Sequence, residues 1–147
     1  MQITCTINTQ DYTLEVEPTT RALDVIRDLG ITSIKEGCGE GECGACSIYY
    51  NTKLVNSCLL LSSQMDGAEI VTLEGLLSET LHIRESFERE GAVQCGFCTG
   101  GFVLRAYAYE KEKGAKDTEA IKRAFDGNIC RCTGYQKIVE ATLKSIK

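Results

Sequence analysis

The chain has 147 residues, a formal net charge of −5, nine cysteines, one histidine, one proline and no tryptophan. Its length suits one domain or two small ones and leaves no room for a large catalytic core beside a nucleotide domain. The acidic balance excludes a nucleic-acid backbone as partner, which needs a basic surface, and no apolar run approaches the roughly 18 residues of a spanning helix.

The first ten residues alternate apolar and polar side chains, with Ile3, Cys5 and Ile7 on one face. That period predicts a half-buried strand and not a secretory signal, so the chain is expected in the cytoplasm. A polar turn at Asn8 to Asp11 leads to a second alternation at Tyr12, Leu14 and Val16, which completes a hairpin. Thr19 or Thr20 can cap a helix with Ala22, Val25, Ile26 and Leu29 on one face, and Gly30 stands where a C′ glycine ends it. A loop rich in glycine and cysteine runs from Glu36 to Cys46. Ser47–Tyr50 and Lys53–Val55 predict a second hairpin, and Ile70–Leu73 a last short strand.

From about Leu76 the pattern turns helical. Thr80–Glu90 carries Ile83 and Phe87 on one face, and Thr99–Lys113 carries Val103, Ala106 and Tyr107 before Gly114. Asp117 or Thr118 caps a short helix with Ile121, Ala124 and Phe125. Thr133 and Gln136 have capping-box spacing ahead of Val139, Thr142, Leu143 and Ile146. The expected class is α+β: a small sheet on one helix over residues 1–75, then a four-helix bundle over 76–147. Cores this small often need a staple, and a bound metal can supply it.

Nine cysteines without an export signal point to metal binding or redox chemistry, because cytosolic thiols are kept reduced. One histidine removes a Rieske centre and most catalytic zinc sites. Cys38, Cys43 and Cys46 stand at C-x4-C-x2-C spacing, with Cys58 further on. This is the plant-type [2Fe–2S] spacing, whereas structural zinc favours two short knuckles. Gly37, Gly39, Gly41 and Gly44 would let the loop take positive φ and bring N–H groups to the sulfurs. Cys95, Cys98, Cys130 and Cys132 form a second quartet beside Thr99 and Thr133, both able to begin helices whose N–H groups suit an anion. By ligand count a second [2Fe–2S] cluster and a four-cysteine zinc site fit it equally. A thioredoxin-like pair would leave Cys130 and Cys132 idle.

Taken together, E-G-C-G-E-G-E-C-G-A-C at 36–46, S-C-L at 57–59, E-G at 74–75, G-A-V-Q-C-G-F-C-T at 91–99 and G-N-I-C-R-C-T-G-Y at 127–135 carry a further signal. Nearly end to end, the chain resembles the iron–sulfur subunit of the xanthine oxidase family of molybdenum hydroxylases. The resemblance implies a β-grasp ferredoxin domain and a four-helix domain, each with one [2Fe–2S] cluster. It implies a large molybdopterin-binding partner subunit facing the helical-domain cluster and a medium FAD-binding partner facing the other. Electrons would pass from molybdenum through the two clusters to flavin, after hydroxylation of a purine, another N-heterocycle or an aldehyde on the large subunit. Carried over by motif, Gln94 and Cys132 contact the pterin, and Arg131 orders its loop. No catalytic residue is expected on this chain. Gly100, Ile83 and the 114–117 loop stand where the family usually has prolines.

Two readings from other classes compete: a zinc-stapled binding module and a freestanding two-cluster ferredoxin. Cys5, alternating with Ile3 and Ile7, reads as core. His82 reads as structural, with nothing nearby to pair with it as acid or base. Tyr107 and Tyr109 read as core and rim, and Glu110–Lys113 as a solvated face.

Overall fold

A computed structural model describes residues 1–147. The first half is a five-stranded sheet of order β2-β1-β5-β3-β4, with β1 Gln2–Ile7, β2 Gln10–Glu15, β3 Ser47–Tyr50, β4 Lys53–Asn56 and β5 Glu69–Val71. β1 and β5 run parallel; the other neighbours are antiparallel. Both hairpins close on two residues with positive φ, Asn8 and Thr9 in one and Asn51 and Thr52 in the other. That is the turn whose twist matches the flanking strands. The first turn is therefore shorter than the four polar residues suggested.

Helix α1, Ala22–Asp28, covers one face of the sheet. Ile3, Cys5, Ile7, Leu23, Ile26, Ile34, Ile48, Met65 and Ile70 form its core, so Cys5 is packing as expected. Gly30 ends the helix at φ +87. The capping expectation fails: Arg21 occupies the N-cap without a side-chain cap bond. Its guanidinium instead grips Asp24 at 2.8 Å and Glu36 at 2.6 Å, which ties the helix to the start of the cysteine loop. Leu23 joins Ala22 and Ile26 on the fully buried face, and Val25 and Leu29 pack against the core from its edge. Last, the segment predicted to end at Leu73 leaves the strand after Val71 and enters a 3₁₀ turn over Leu73–Leu76.

The second half holds α2 Leu81–Arg89, α3 Thr99–Lys111, α4 Thr118–Ala124 and α5 Gln136–Ser145. They share a core of Ile83, Phe87, Phe102, Val103, Ala106, Tyr107, Ile121, Phe125, Ile138 and Val139. α3 is buried almost all round, as a helix between two layers must be. It packs on the helices and on β3 and β4, with Tyr107 edge-on to Tyr49 at 6.2 Å. Gly100 lies in its first turn, which forms without a proline. Gly114 does not supply the left-handed residue at its end; Lys113 does, at φ +56. Gly114 is needed for space, since a Cβ there would lie 2.2 Å from the ring of Tyr109. Tyr109 is as buried as Tyr107, and its hydroxyl donates to Ala115 O.

His82 does have a partner. Its Nε2 lies 2.9 Å from Oε1 of Glu110, 28 positions away, and the same oxygen accepts the Lys147 N–H. Glu110 is thus a largely buried acceptor and not part of a solvated face. The contact joins α2 to α3 and pins the chain's last residue, which a local reading of charges could not show.

The halves meet backbone to backbone. Ile129 N donates to Cys43 O at 3.0 Å. A Cβ on Gly101 would sit 2.2 Å from Gly44 O, and one on Gly44 2.6 Å from Gly127 O and the Asn128 amide. Two atoms of fixed main chain cannot yield as a flexible side chain can. Gly101→Ala is therefore expected to lower stability by about 1–3 kcal/mol and to reduce the metal content of both cysteine groups together. Unfolding midpoints and metal per chain measure the two effects, and an unaltered variant would refute the contact.

Candidate metal centres

The β3–β4 hairpin builds half of the first site. Its register pairs Ser47 with Asn56, which sets Cys46 beside the 3₁₀ turn Ser57–Leu59 that carries Cys58. Ser57 fastens the approach, its N–H and hydroxyl both donating to Cys46 O. The thiols of Cys46 and Cys58 face each other, and burial first, then this neighbour, pushes Cys46 up to about 11. Cys38 and Cys43 form a second pair across the loop. Gly39, Gly41 and Gly44 take the positive φ expected of them. Gly37 does not; it leaves room for Cys43, whose sulfur a Cβ would meet at 2.7 Å. The resulting loop aims the Glu40 and Glu42 N–H groups at the Cys38 sulfur, at 3.4 and 3.3 Å. Those donors, the Glu40 N–H foremost, bring Cys38 down to about 7, because they stabilise the thiolate.

The second site lies where α3 begins and where α4 gives way to α5. Cys98 is the N-cap of α3, and Cys95 lies just ahead across Gly96 at φ +84. Cys130 and Cys132 come from the loop before α5. The sulfurs again stand in pairs: Cys132 Sγ lies 3.6 Å from Cys95 Sγ, and Cys130 faces Cys98. Burial, then Cys130, pushes Cys98 up to about 12. Burial also opposes the Cys130 thiolate, but the Thr133 hydroxyl and N–H outweigh it and bring that thiol down. The predicted capping box does not form. α5 starts at Gln136 with Tyr135 at φ +72 as N-cap, and the Thr133 hydroxyl turns to Cys130 instead. Of the two helices, only α3 therefore carries one of the cysteines at its N-cap.

Cys95 and Cys132 are exposed, whereas Cys46, Cys58 and Cys130 are buried. Gln94 is exposed beside them, with Val93, Phe97 and Ile129 among the exposed large apolar residues of the chain. Arg131 is exposed too and makes no ion pair within the chain; the hydrogen bonds that hold its loop come from Thr133 and Tyr135. A cavity of about 540 Å³ runs between the two groups, lined by Cys38, Cys43, Cys95, Cys98, Cys130 and Cys132. A four-cysteine zinc site gathers all four sulfurs about one centre. A two-iron rhomb takes two thiolates on each iron, and paired sulfurs fit that donor set.

The 2Fe-2S iron-sulfur cluster binding domain family matches residues 5–77, and the [2Fe-2S] binding domain family matches residues 72–143. The nicotinate dehydrogenase small FeS subunit of Eubacterium barkeri is 41% identical over 148 aligned positions, covering 99% of this chain and 94% of that one. The xanthine dehydrogenase iron-sulfur-binding subunit of Escherichia coli is 42% identical over 146, covering 96% and 91%. Among solved structures, quinoline 2-oxidoreductase from Pseudomonas putida 86 superposes with a TM-score of 0.88 at 37% identity, covering 97% of this chain and 90% of that one. With two [2Fe–2S]-binding regions in tandem and near full-length likeness to such subunits, the chain belongs to the iron–sulfur small subunits of the xanthine oxidase family of molybdenum hydroxylases.

Proposed function

We propose that Cys38, Cys43, Cys46 and Cys58 hold one [2Fe–2S] cluster and Cys95, Cys98, Cys130 and Cys132 the other, in domains spanning 1–75 and 76–147. The observation that carries this is the arrangement of each quartet as two thiol pairs, with Cys38 and Cys43 of the first and all four cysteines of the second lining one shared cavity. When bound, the clusters supply one-electron transfer, here from a molybdopterin centre on a large partner subunit to FAD on a medium one.

The chain's own residues hold, shield and space that chemistry. Thiolates supply the ligands, and N–H groups of Glu40, Glu42, Phe97 and Thr133 offset the negative charge on their sulfurs. The Cys43 to Ile129 backbone bond fixes the spacing of the two sites. The exposed Cys95 and Cys132, with Gln94 beside them, suit the face that meets the pterin. Leu59, 60% exposed next to Cys58, suits the face that meets the flavin subunit. The relatives named above carry nicotinate, xanthine and quinoline in their names. All three are N-heterocycles, which supports hydroxylation of an N-heterocycle by the complex. Substrate binds on the partner and not here. No helix of the chain is long and apolar enough to cross a membrane. Free thiols throughout support a cytoplasmic setting.

Purified chain is expected to be brown, to hold iron and sulfide for two clusters, and to give two distinct rhombic EPR signals on reduction. A colourless protein with two zinc ions would overturn the assignment and favour a zinc-stapled module. In the assembled complex, Cys132→Ser is expected to slow substrate-driven reduction of the chain far more than Cys5→Ser, since Cys5 is core packing. Rapid-mixing absorbance reads the difference, and equal rates would count against the ligand set.

A further inference from the structure

The turn from Cys130 to Tyr135 is built around one sulfur. The Thr133 hydroxyl lies 3.1 Å from Cys130 Sγ and the Thr133 N–H 3.3 Å from it. The same hydroxyl oxygen accepts the Tyr135 N–H at 3.2 Å, so its lone pair is engaged and its proton is left to the sulfur. Tyr135 is held in turn, its phenol accepting the Cys130 N–H at 3.2 Å while its own φ is +72. The hydroxyl is thus positioned by a closed ring of contacts. Helix α5 goes without the side-chain cap that Thr133 could have supplied. On the exposed side the Cys95 sulfur has a main-chain donor, the Phe97 N–H at 3.5 Å.

We propose that Thr133 is a positioning residue whose hydroxyl tunes the cluster at the second site, raising its reduction potential through Cys130. The inference rests on the ligand assignment proposed above. Reduction adds one electron, delivered by the partner's molybdenum centre, with no bond made or broken. The added negative charge spreads partly onto the thiolate sulfurs. A donor fixed on Cys130 stabilises the reduced state more than the oxidised one, since hydrogen bonds to charged groups are the strong ones. The less exposed pair, half-buried Cys98 and buried Cys130, is also the one next to Ile129, whose N–H reaches Cys43. The hydroxyl therefore favours the electron on the side of the site that adjoins the first quartet.

EPR-monitored redox titration of the assembled complex tests this. Thr133→Val is expected to disfavour reduction of the second-site cluster about tenfold, about 59 mV for a one-electron couple. Thr133→Ser is expected to keep the wild-type value, and the first-site signal to stay fixed in both. Tyr135→Phe, which leaves the Thr133 hydroxyl on the sulfur, is expected to shift the potential less than Thr133→Val. Unchanged potentials in Thr133→Val, or equal shifts in Thr133→Val and either Thr133→Ser or Tyr135→Phe, would overturn the proposal while wild type still shows both signals. Loss of the second signal in both Thr133→Val and Thr133→Ala would make the residue structural and likewise overturn it. Zinc in place of iron in the wild type would sink the ligand assignment beneath it.

Discussion

The contact on which the structure depends is the meeting of two stretches of main chain, Cys43–Gly44 against Gly101 and Gly127–Ile129. One backbone hydrogen bond crosses it, and glycines at 44 and 101 allow the approach. Without it the molecule would be two small units on a short connection, each with its own core. With it, the loop that carries Cys43 and the loop that carries Cys130 become parts of one surface. Electron transfer needs a fixed separation between donor and acceptor, and main chain fixes a separation better than side chains do. Tyr49 edge-on to Tyr107 adds an apolar contact to the same junction. Within the first half, the Glu74 carboxylate ties the end of β5 to the loop after α1, accepting from Ser33 N and from the hydroxyls of Ser33 and Thr72.

Electrostatics sets a second demand. The chain is acidic, and eight thiolates with their irons add further negative charge. Basic side chains do not gather around the sulfurs to offset it. Arg21 is committed to Asp24 and Glu36, and Arg131, at the rim of the cavity, is the one basic side chain among its lining residues. The donors are N–H groups and one threonine hydroxyl. Such donors cannot be lost by a change of pH and are fixed by the turn geometry itself.

Much of this was legible in the chain, for reasons that differ by element. Strand alternation at Ile3, Cys5 and Ile7 was visible because the period of two reports burial directly. Gly30 was legible because a left-handed residue at a helix end has few alternatives. The first cysteine quartet showed through its spacing. The second did not: its cysteines come from two loops 35 residues apart, and their number alone fits zinc as well as iron. The capping-box spacing at Thr133 does not reveal the competing acceptor, a sulfur three residues back, because that contact depends on a fold that pattern does not show. His82 and Glu110 meet across two helices, a pairing that no local window contains. Gly37, Gly101 and Gly114 were visible as glycines, but the atoms that exclude a side chain at each come from elsewhere in the fold.

The sheet topology has a consequence for biogenesis. β5, the last strand, lies between β1 and β3, so the sheet cannot close until residue 71 has left the ribosome. The Glu36–Cys46 loop and Cys58 are all synthesised before then, and lack the folded sheet that steadies them. The second quartet waits for Cys132, and the clasp for Ile129. The two sites are therefore completed in order along the chain, the first once residue 71 has joined the sheet and the second once Cys132 has been made.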